Sequence, residues 1–118
     1  MRFAAFVVCM ILLTPSSGLA AAQGSASATV ESLHEVLTGA MKEAETLGYQ
    51  GRFDLIAPAV NEHIDQAFMA AKSIGRHWKK LSPEEQERWL KTFFDLTVAN
   101  YAGRFKGYSG EHFELEGE

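Results

Sequence analysis

The stretch LSPEE, residues 81–85, contains nearly every residue type that starts an α-helix. Ser82 can accept a hydrogen bond from the backbone of the first turn, and Pro83 stands at the first helical position, where its missing N–H is no loss. Glu85 lies three residues after Ser82, the spacing of a capping box, and acidic residues here favour the positive end of the helix dipole. We therefore predict a long helix that begins at Ser82.

The apolar side chains of this helix cover an unusually wide part of its surface. At 100° per residue they span about 200°, whereas an ordinary surface helix needs about 100°. They are Trp89, Leu90, Phe93, Phe94, Leu96, Val98, Tyr101 and Phe105. Such a helix is either packed on two sides in a core, or packed on one side while it lines an apolar cavity on the other. Periodicity alone favours the core helix, and the cavity wall needs independent support.

The first 22 residues are typical of a secretory signal peptide. Arg2 precedes an apolar run, residues 3–13, that is too short to span a membrane as a helix. A turn-forming stretch follows, and small residues up to Ala22 fit a signal-peptidase site, with Ala20 as the alternative cleavage position. We expect an exported chain in which residues 23–29 form a flexible N-terminus.

Composition limits the rest of the chain to one modest domain. The chain has 118 residues, a formal net charge of −4 and one cysteine, Cys9, which lies inside the predicted signal peptide. Without disulfides, the exported part must be held together by its hydrophobic core. The acidic net charge also argues against nucleic-acid binding, which requires a basic face. We therefore expect a single domain over residues 30–118 that binds no nucleic acid.

Three further helices are predicted before the long one. Gly48 is expected to end the first of them, and Asp54 and Asp65 are candidate caps of the next two. Pro58 should lie early in the second helix or kink it. The expected limits are 30–47, 53–64 and 66–74, with a loop at 48–51 and a basic turn at 76–80.

The C-terminal residues have a different pattern. Residues 112–116 alternate between polar and apolar side chains, which is typical of a half-buried β-strand. Since no second strand-like run is present, the strand should pair with something outside the chain, or the chain is the front part of a longer protein. The predicted fold class is thus α+β, with about four helices followed by one short strand.

The polar residues do not form a catalytic pattern. Glu31 and His34 have the spacing of half a di-metal site, but the second pair is missing. The exported part has no thiol, and no serine lies in a nucleophile elbow. We expect no enzyme activity, no metal site and no cofactor. Arg76, Lys79 and Lys80 are interpreted as a solvated basic turn, with contact to an anion as the alternative.

Several short motifs stand in a specific order and spacing along the chain. They are Ile64-Asp65, Met69-Ala70, Gly75, Trp78, Ser82-Pro83-Glu84-Glu85-Gln86, Phe94, Tyr101-Ala102 and Tyr108. Together they resemble the MlaC / toluene-tolerance Ttg2 family of periplasmic lipid-binding proteins. The sequence of residues 101–105 and 107–111 is most similar to the hopanoid-associated branch, HpnM, and the resemblance covers about residues 30–115.

The resemblance implies a periplasmic carrier whose helices and curved sheet enclose an apolar pocket for lipid tails. The carrier would bind a hopanoid or a phospholipid, serve an ABC-type transporter of the inner membrane, and contact the membrane or its complexes transiently. Family members continue into further strands and a closing helix, so residues 30–118 are expected to be the N-terminal part of a lipid-binding domain. The pocket candidates are Phe68, Trp78, Trp89, Phe93, Phe94, Leu96, Tyr101 and Phe105, and the candidates for head-group or partner contact are Arg76, Lys79 and Lys80.

Two alternatives to the carrier stay open at this point. A small periplasmic helical adaptor could bind a partner protein through the broad apolar face of the long helix. A truncated carrier without function is the other alternative. A carrier should copurify with lipid, whereas an adaptor should bind its partner after lipid has been removed.

Overall fold

The computed structural model describes residues 25–116, which fold into helices joined by short connections. The predicted signal peptide and its cleavage site lie outside the described residues. None of the helices in the described part is long and apolar enough to cross a membrane. The helices are α1 (Ala26–Lys42), α2 (Ala44–His63), α3 (Gln66–Ser73), a 3-10 helix (Gly75–Lys80) and α4 (Pro83–Arg104).

The capping box at the start of α4 is formed as predicted. The Glu85 N–H donates to the Ser82 hydroxyl oxygen at 3.2 Å, and the Ser82 N–H donates to the Glu85 carboxylate at 2.8 Å. Pro83 occupies the first helical position. These bonds satisfy two backbone donors that a helix start otherwise leaves unpaired.

Replacing Ser82 with alanine is expected to lower the free energy of unfolding by about 1 kcal/mol, because the Glu85 N–H loses its acceptor. Urea unfolding followed by circular dichroism measures the change. The matched control is Ser109→Ala, at an exposed serine outside the helices. Equal effects of the two substitutions would contradict the capping role.

The first predicted helix is divided in the structure. Its start is earlier than expected, since the Ser25 hydroxyl accepts the Ala28 N–H at 3.1 Å and α1 begins at Ala26, inside the predicted flexible N-terminus. Its end at Lys42 is also earlier than Gly48, because the chain turns at Glu43 before α2 starts.

Gly48 interrupts the helical backbone inside α2. Its dihedral angles, φ 62° and ψ −175°, belong to a region that is open essentially to glycine alone. The predicted loop at 48–51 is nevertheless wrong, because the helix resumes directly after Gly48. Asp54 is therefore an interior residue and no cap, and its carboxylate accepts the side-chain amide of Gln50 at 2.8 Å. Pro58 likewise lies inside α2, where the backbone stays helical.

The buried core is built from α1, α2 and α4, with α2 between the other two. α3 packs against α4 and buries Ala70. The predicted Asp65 cap of α3 is confirmed, since the Asp65 carboxylate accepts the Phe68 N–H at 2.9 Å. The central cluster consists of Leu37, Ala40, Ile56, Val60, Val98 and Ala102, so small residues contribute to it as well as large ones.

Arg52 is the buried charged residue of the described part, with 8% of its surface exposed. Its Nε donates to the carbonyl of Ala102 at 2.9 Å, and its Nη1 donates to the carbonyl of Ala44 at 3.0 Å. Ala102 lies in the last turn of α4, where carbonyls have no partner within the helix. In a continuous helix Ala44 and Arg52 would be about 12 Å apart along the axis, so the break at Gly48 makes this contact possible.

The predicted strand at 112–116 is wrong, and the α+β fold class is wrong with it. Residues 105–116 continue from α4 as an irregular segment, and no β-strand occurs anywhere in residues 25–116. A strand needs a neighbour that accepts its backbone hydrogen bonds, and the described residues supply none. Phe113 is held instead by side-chain contact, since its ring stacks on His34 of α1 at a centroid distance of 4.2 Å.

Candidate functional site

The long helix α4 has two different apolar sides. Counted at 100° per residue, Phe94, Tyr101 and Phe105 lie within about 60° of the fully buried Val98, and all three pack against the core cluster. The Tyr101 and Phe105 rings stack at 5.6 Å. These three pocket candidates are half-buried and therefore lie on the side of α4 that packs on the core, at the contact with α2.

The opposite side of α4 carries Trp89, Phe93 and Leu96, about 140–180° away from Val98. At its N-terminal end this side is covered by α3, since the indole N–H of Trp89 donates to the Ala70 carbonyl at 2.8 Å. The Trp89 and Phe93 rings lie 6.5 Å apart. Further along the helix the cover ends, and Leu96 is 59% exposed. We call the surface formed by Phe93 and Leu96 the open side of α4.

The two remaining pocket candidates lie before α4. Trp78 is half-buried in the 3-10 helix, and its carbonyl accepts the Gln86 side-chain amide at 3.0 Å, which ties the 3-10 helix to α4. Phe68 is 59% exposed on α3. The structure thus distributes the eight candidates over the two sides of α4, the 3-10 helix and α3, and does not gather them around one enclosed cavity.

Two hollows that are open to solvent lie beside these helices, one along α4 and one against α1. One of about 480 Å³ runs along α4 and is lined by both apolar rings and polar groups, namely Thr97, Asn100, Tyr101, Arg104 and Phe105. The other, of about 590 Å³, lies between α1 and the C-terminal segment, where His34, Lys42, Tyr108 and Phe113 are among the lining residues.

The second hollow was missed by the sequence reasoning, because it depends on contacts between distant parts of the chain. Phe113 touches both His34 and the Phe105 ring, the latter at 6.0 Å, and so ties the C-terminal segment to α1 and α4. The Lys42 ammonium lies 5.2 Å from the centre of the Tyr108 ring. Backbone N–H groups of Ser109 and Glu111 donate to the Glu111 carboxylate and hold its pKa below its usual range.

The predicted cations are all exposed. Arg76, Lys79 and Lys80 lie on the 3-10 helix, next to the exposed face of α3. Within residues 25–116 there is no group of three or more His, Cys, Asp or Glu side chains that could hold a metal ion. These surfaces offer apolar contact on the open side of α4 and positive charge on the 3-10 helix.

Comparison with known proteins adds an independent finding. A family model described as MlaC protein matches residues 31–118. The intermembrane phospholipid transport system binding protein MlaC of Haemophilus influenzae is 29% identical over 56 residues. That match covers 48% of this chain and 26% of the relative, about a quarter of its length. No solved structure matches the chain significantly.

Proposed function

The chain belongs to the MlaC family, and we propose that it is a periplasmic lipid carrier serving an ABC-type intermembrane transport system. The proposal is supported by the name of the curated relative, which is the binding protein of an intermembrane phospholipid transport system. The ligand is proposed to be a phospholipid or a hopanoid. Such a carrier performs no covalent chemistry, in keeping with the sequence, which offers no nucleophile or metal-ligand pattern.

The structural observation that carries the proposal is the open side of α4. Leu96 is mostly exposed, and the opposite side of α4 already packs on α2. The large apolar side chain of Leu96 therefore adds nothing to the stability of the described fold. Leu96 lies in line with the half-buried rings of Trp89 and Phe93, and a continuous apolar surface that is left partly exposed is typical of an interaction site. Hydrocarbon lying against Leu96 and Phe93 would cover this surface.

Binding would be passive and driven by burial of hydrocarbon. Each buried methylene contributes about 0.8 kcal/mol, so about ten of them supply roughly 8 kcal/mol. That corresponds to a Kd in the micromolar range before the cost of ordering the lipid is subtracted. Release then needs a partner that competes for the tail or changes the surface, and we propose that components of the transporter do so.

The change Leu96→Trp tests whether the open side binds lipid. Because Leu96 is largely exposed, we expect the free energy of unfolding to change by no more than about 0.5 kcal/mol. Lipid occupancy should fall several-fold, since the larger ring occupies space that hydrocarbon would use. Native mass spectrometry of protein purified without detergent measures occupancy, and organic extraction identifies the lipid.

The matched control is Leu55→Trp, which enlarges an exposed leucine on α2. Its lipid occupancy should equal that of the unchanged chain. If both variants keep full occupancy, lipid does not bind at the open side of α4. If the unchanged chain is folded and carries no lipid at all, the same apolar surface fits the adaptor hypothesis better, and a partner protein should then bind it after delipidation.

A further inference from the structure

Four cations lie close together along α3 and the 3-10 helix. They are Lys72, Arg76, Lys79 and Lys80, and all four are exposed. Residues 66–83 contain no aspartate or glutamate, although the whole chain has a formal net charge of −4. The positive charge is therefore concentrated at one place on an otherwise acidic protein.

Two large apolar side chains share this surface. Phe68 is 59% exposed and Met69 is 46% exposed, whereas Ala70 on the opposite face of α3 is buried against α4. Phe68 and Lys72 are one helical turn apart, and the Lys72 ammonium lies 5.4 Å from the centre of the Phe68 ring. Lys72 and Phe68 are thus presented together on the exposed face of α3, and the 3-10 helix with the other three cations follows directly in the chain.

We propose that this surface, formed by Phe68, Met69, Lys72, Arg76, Lys79 and Lys80, docks the protein onto an anionic phospholipid bilayer. Aromatic and methionine side chains can enter the boundary between head groups and acyl chains, while lysine and arginine side chains extend to the phosphates. The acidic remainder of the protein is repelled by the same bilayer. Repulsion and attraction together give the docked protein one orientation, with α3 towards the membrane.

An anionic bilayer fits the surface better than an acidic protein does. Phe68 and Met69 project outward from a helix of eight residues, so they suit insertion among mobile head groups. The docking surface is also separate from the open side of α4. It therefore goes beyond the carrier proposal and does not depend on it.

Flotation with vesicles of the protein purified after export, without its signal peptide, tests the proposal. Vesicles of phosphatidylcholine alone should bind little protein, and vesicles with one third phosphatidylglycerol should bind it strongly at low ionic strength and weakly at high ionic strength. The triple variant Arg76→Gln, Lys79→Gln, Lys80→Gln should lose about 100-fold in binding to the anionic vesicles, since each cation near such a surface contributes about a factor of five. Phe68→Ser should lose roughly ten-fold.

The matched control is the triple variant Lys42→Gln, Lys91→Gln, Lys106→Gln. It removes the same charge from exposed positions outside the docking surface and should bind within about two-fold of the unchanged chain. Equal losses in both triple variants, or no binding of the unchanged chain to anionic vesicles, would overturn the proposal. Binding to an acidic protein but to no vesicle would overturn it in favour of a protein partner. Copurified lipid is measured separately, so absence of vesicle binding with retained lipid refutes the docking surface alone.

Discussion

Replacing Arg52 with methionine is expected to lower the free energy of unfolding by about 2–4 kcal/mol. Methionine fills much of the same volume, but it leaves the carbonyls of Ala44 and Ala102 without their donors in a buried place. A buried acceptor left unpaired costs about 1–3 kcal/mol, and hydrogen bonds to a charged donor are at the upper end of that scale. Denaturant unfolding followed by circular dichroism gives the value.

Two comparisons test whether the lost hydrogen bonds of Arg52, and not the loss of an arginine in general, cause the fall in the free energy of unfolding. Arg88→Met, at an exposed position on α4, should change the free energy of unfolding by less than about 0.5 kcal/mol. Arg52→Lys should recover only part of the stability, because a single ammonium cannot present the two fixed N–H directions of a guanidinium. An Arg52→Met variant as stable as Arg88→Met would show that the two buried carbonyls need no donor.

Replacing Gly48 with alanine is expected to lower the free energy of unfolding by about 1–3 kcal/mol. Beyond the chain neighbours and the adjoining helix backbone, no atom lies within 4 Å of the position that the new Cβ would take, so the cost is that of the backbone conformation. At φ 62° and ψ −175° an L-residue is strained by about that amount. Thermal unfolding of the two proteins measures the difference.

Gly39 provides a control of opposite sign. It lies inside α1, and an added Cβ would again meet no atom within 4 Å beyond its chain neighbours and its own helix backbone, but its backbone is helical. Gly39→Ala should therefore raise the free energy of unfolding by about 0.5–1 kcal/mol. If Gly48→Ala were equally stabilising, Gly48 would have to be an ordinary helical residue.

Because Arg52 reaches Ala44 only across the break at Gly48, the effects of Gly48→Ala and Arg52→Met on the free energy of unfolding should be non-additive when the two substitutions are combined.

The features that the sequence predicted correctly are those decided within one helical turn. Ser82 and Asp65 cap their helices with donors only three residues away, so the chemistry is complete in the local sequence. Gly48 is recognisable as a break for the same reason, since glycine is suited to a backbone that other residues avoid. The course of the chain after Gly48 was not predictable, because the helix resumes in response to packing of α2 between α1 and α4.

The failures concern features that depend on distant residues. The alternation at 112–116 is a valid strand pattern, but a strand exists only with a partner, and Phe113 packs on the His34 ring instead. Arg52 was overlooked, although the sequence contained a signal for it. Arg52, Ile56 and Val60 follow one another at four-residue steps and so lie on one face of the helix. A charge on a buried stripe predicts a specific acceptor.

The candidate site was predictable in part. The wide apolar arc of α4 showed that the helix has two apolar sides, but not which side the chain itself covers. That depends on where α3 ends its contact, between Trp89 and Leu96. The role of these side chains in lipid binding stays a prediction until occupancy is measured.

The small side chain of Ala102 has a mechanical consequence for the far end of α4. It is fully buried near the C-terminal end of this helix, where Arg52 reaches its carbonyl from α2. Helix axes approach most closely where the side chains between them are smallest. From Ala102, α4 extends for about 28 Å to Pro83. A change of about 5° in the direction of the helix axis at Ala102 therefore displaces the other end of α4 by about 2–3 Å. The position of the 3-10 helix and its cations, which Gln86 ties to the start of α4, therefore depends in part on how closely α2 and α4 approach at Ala102.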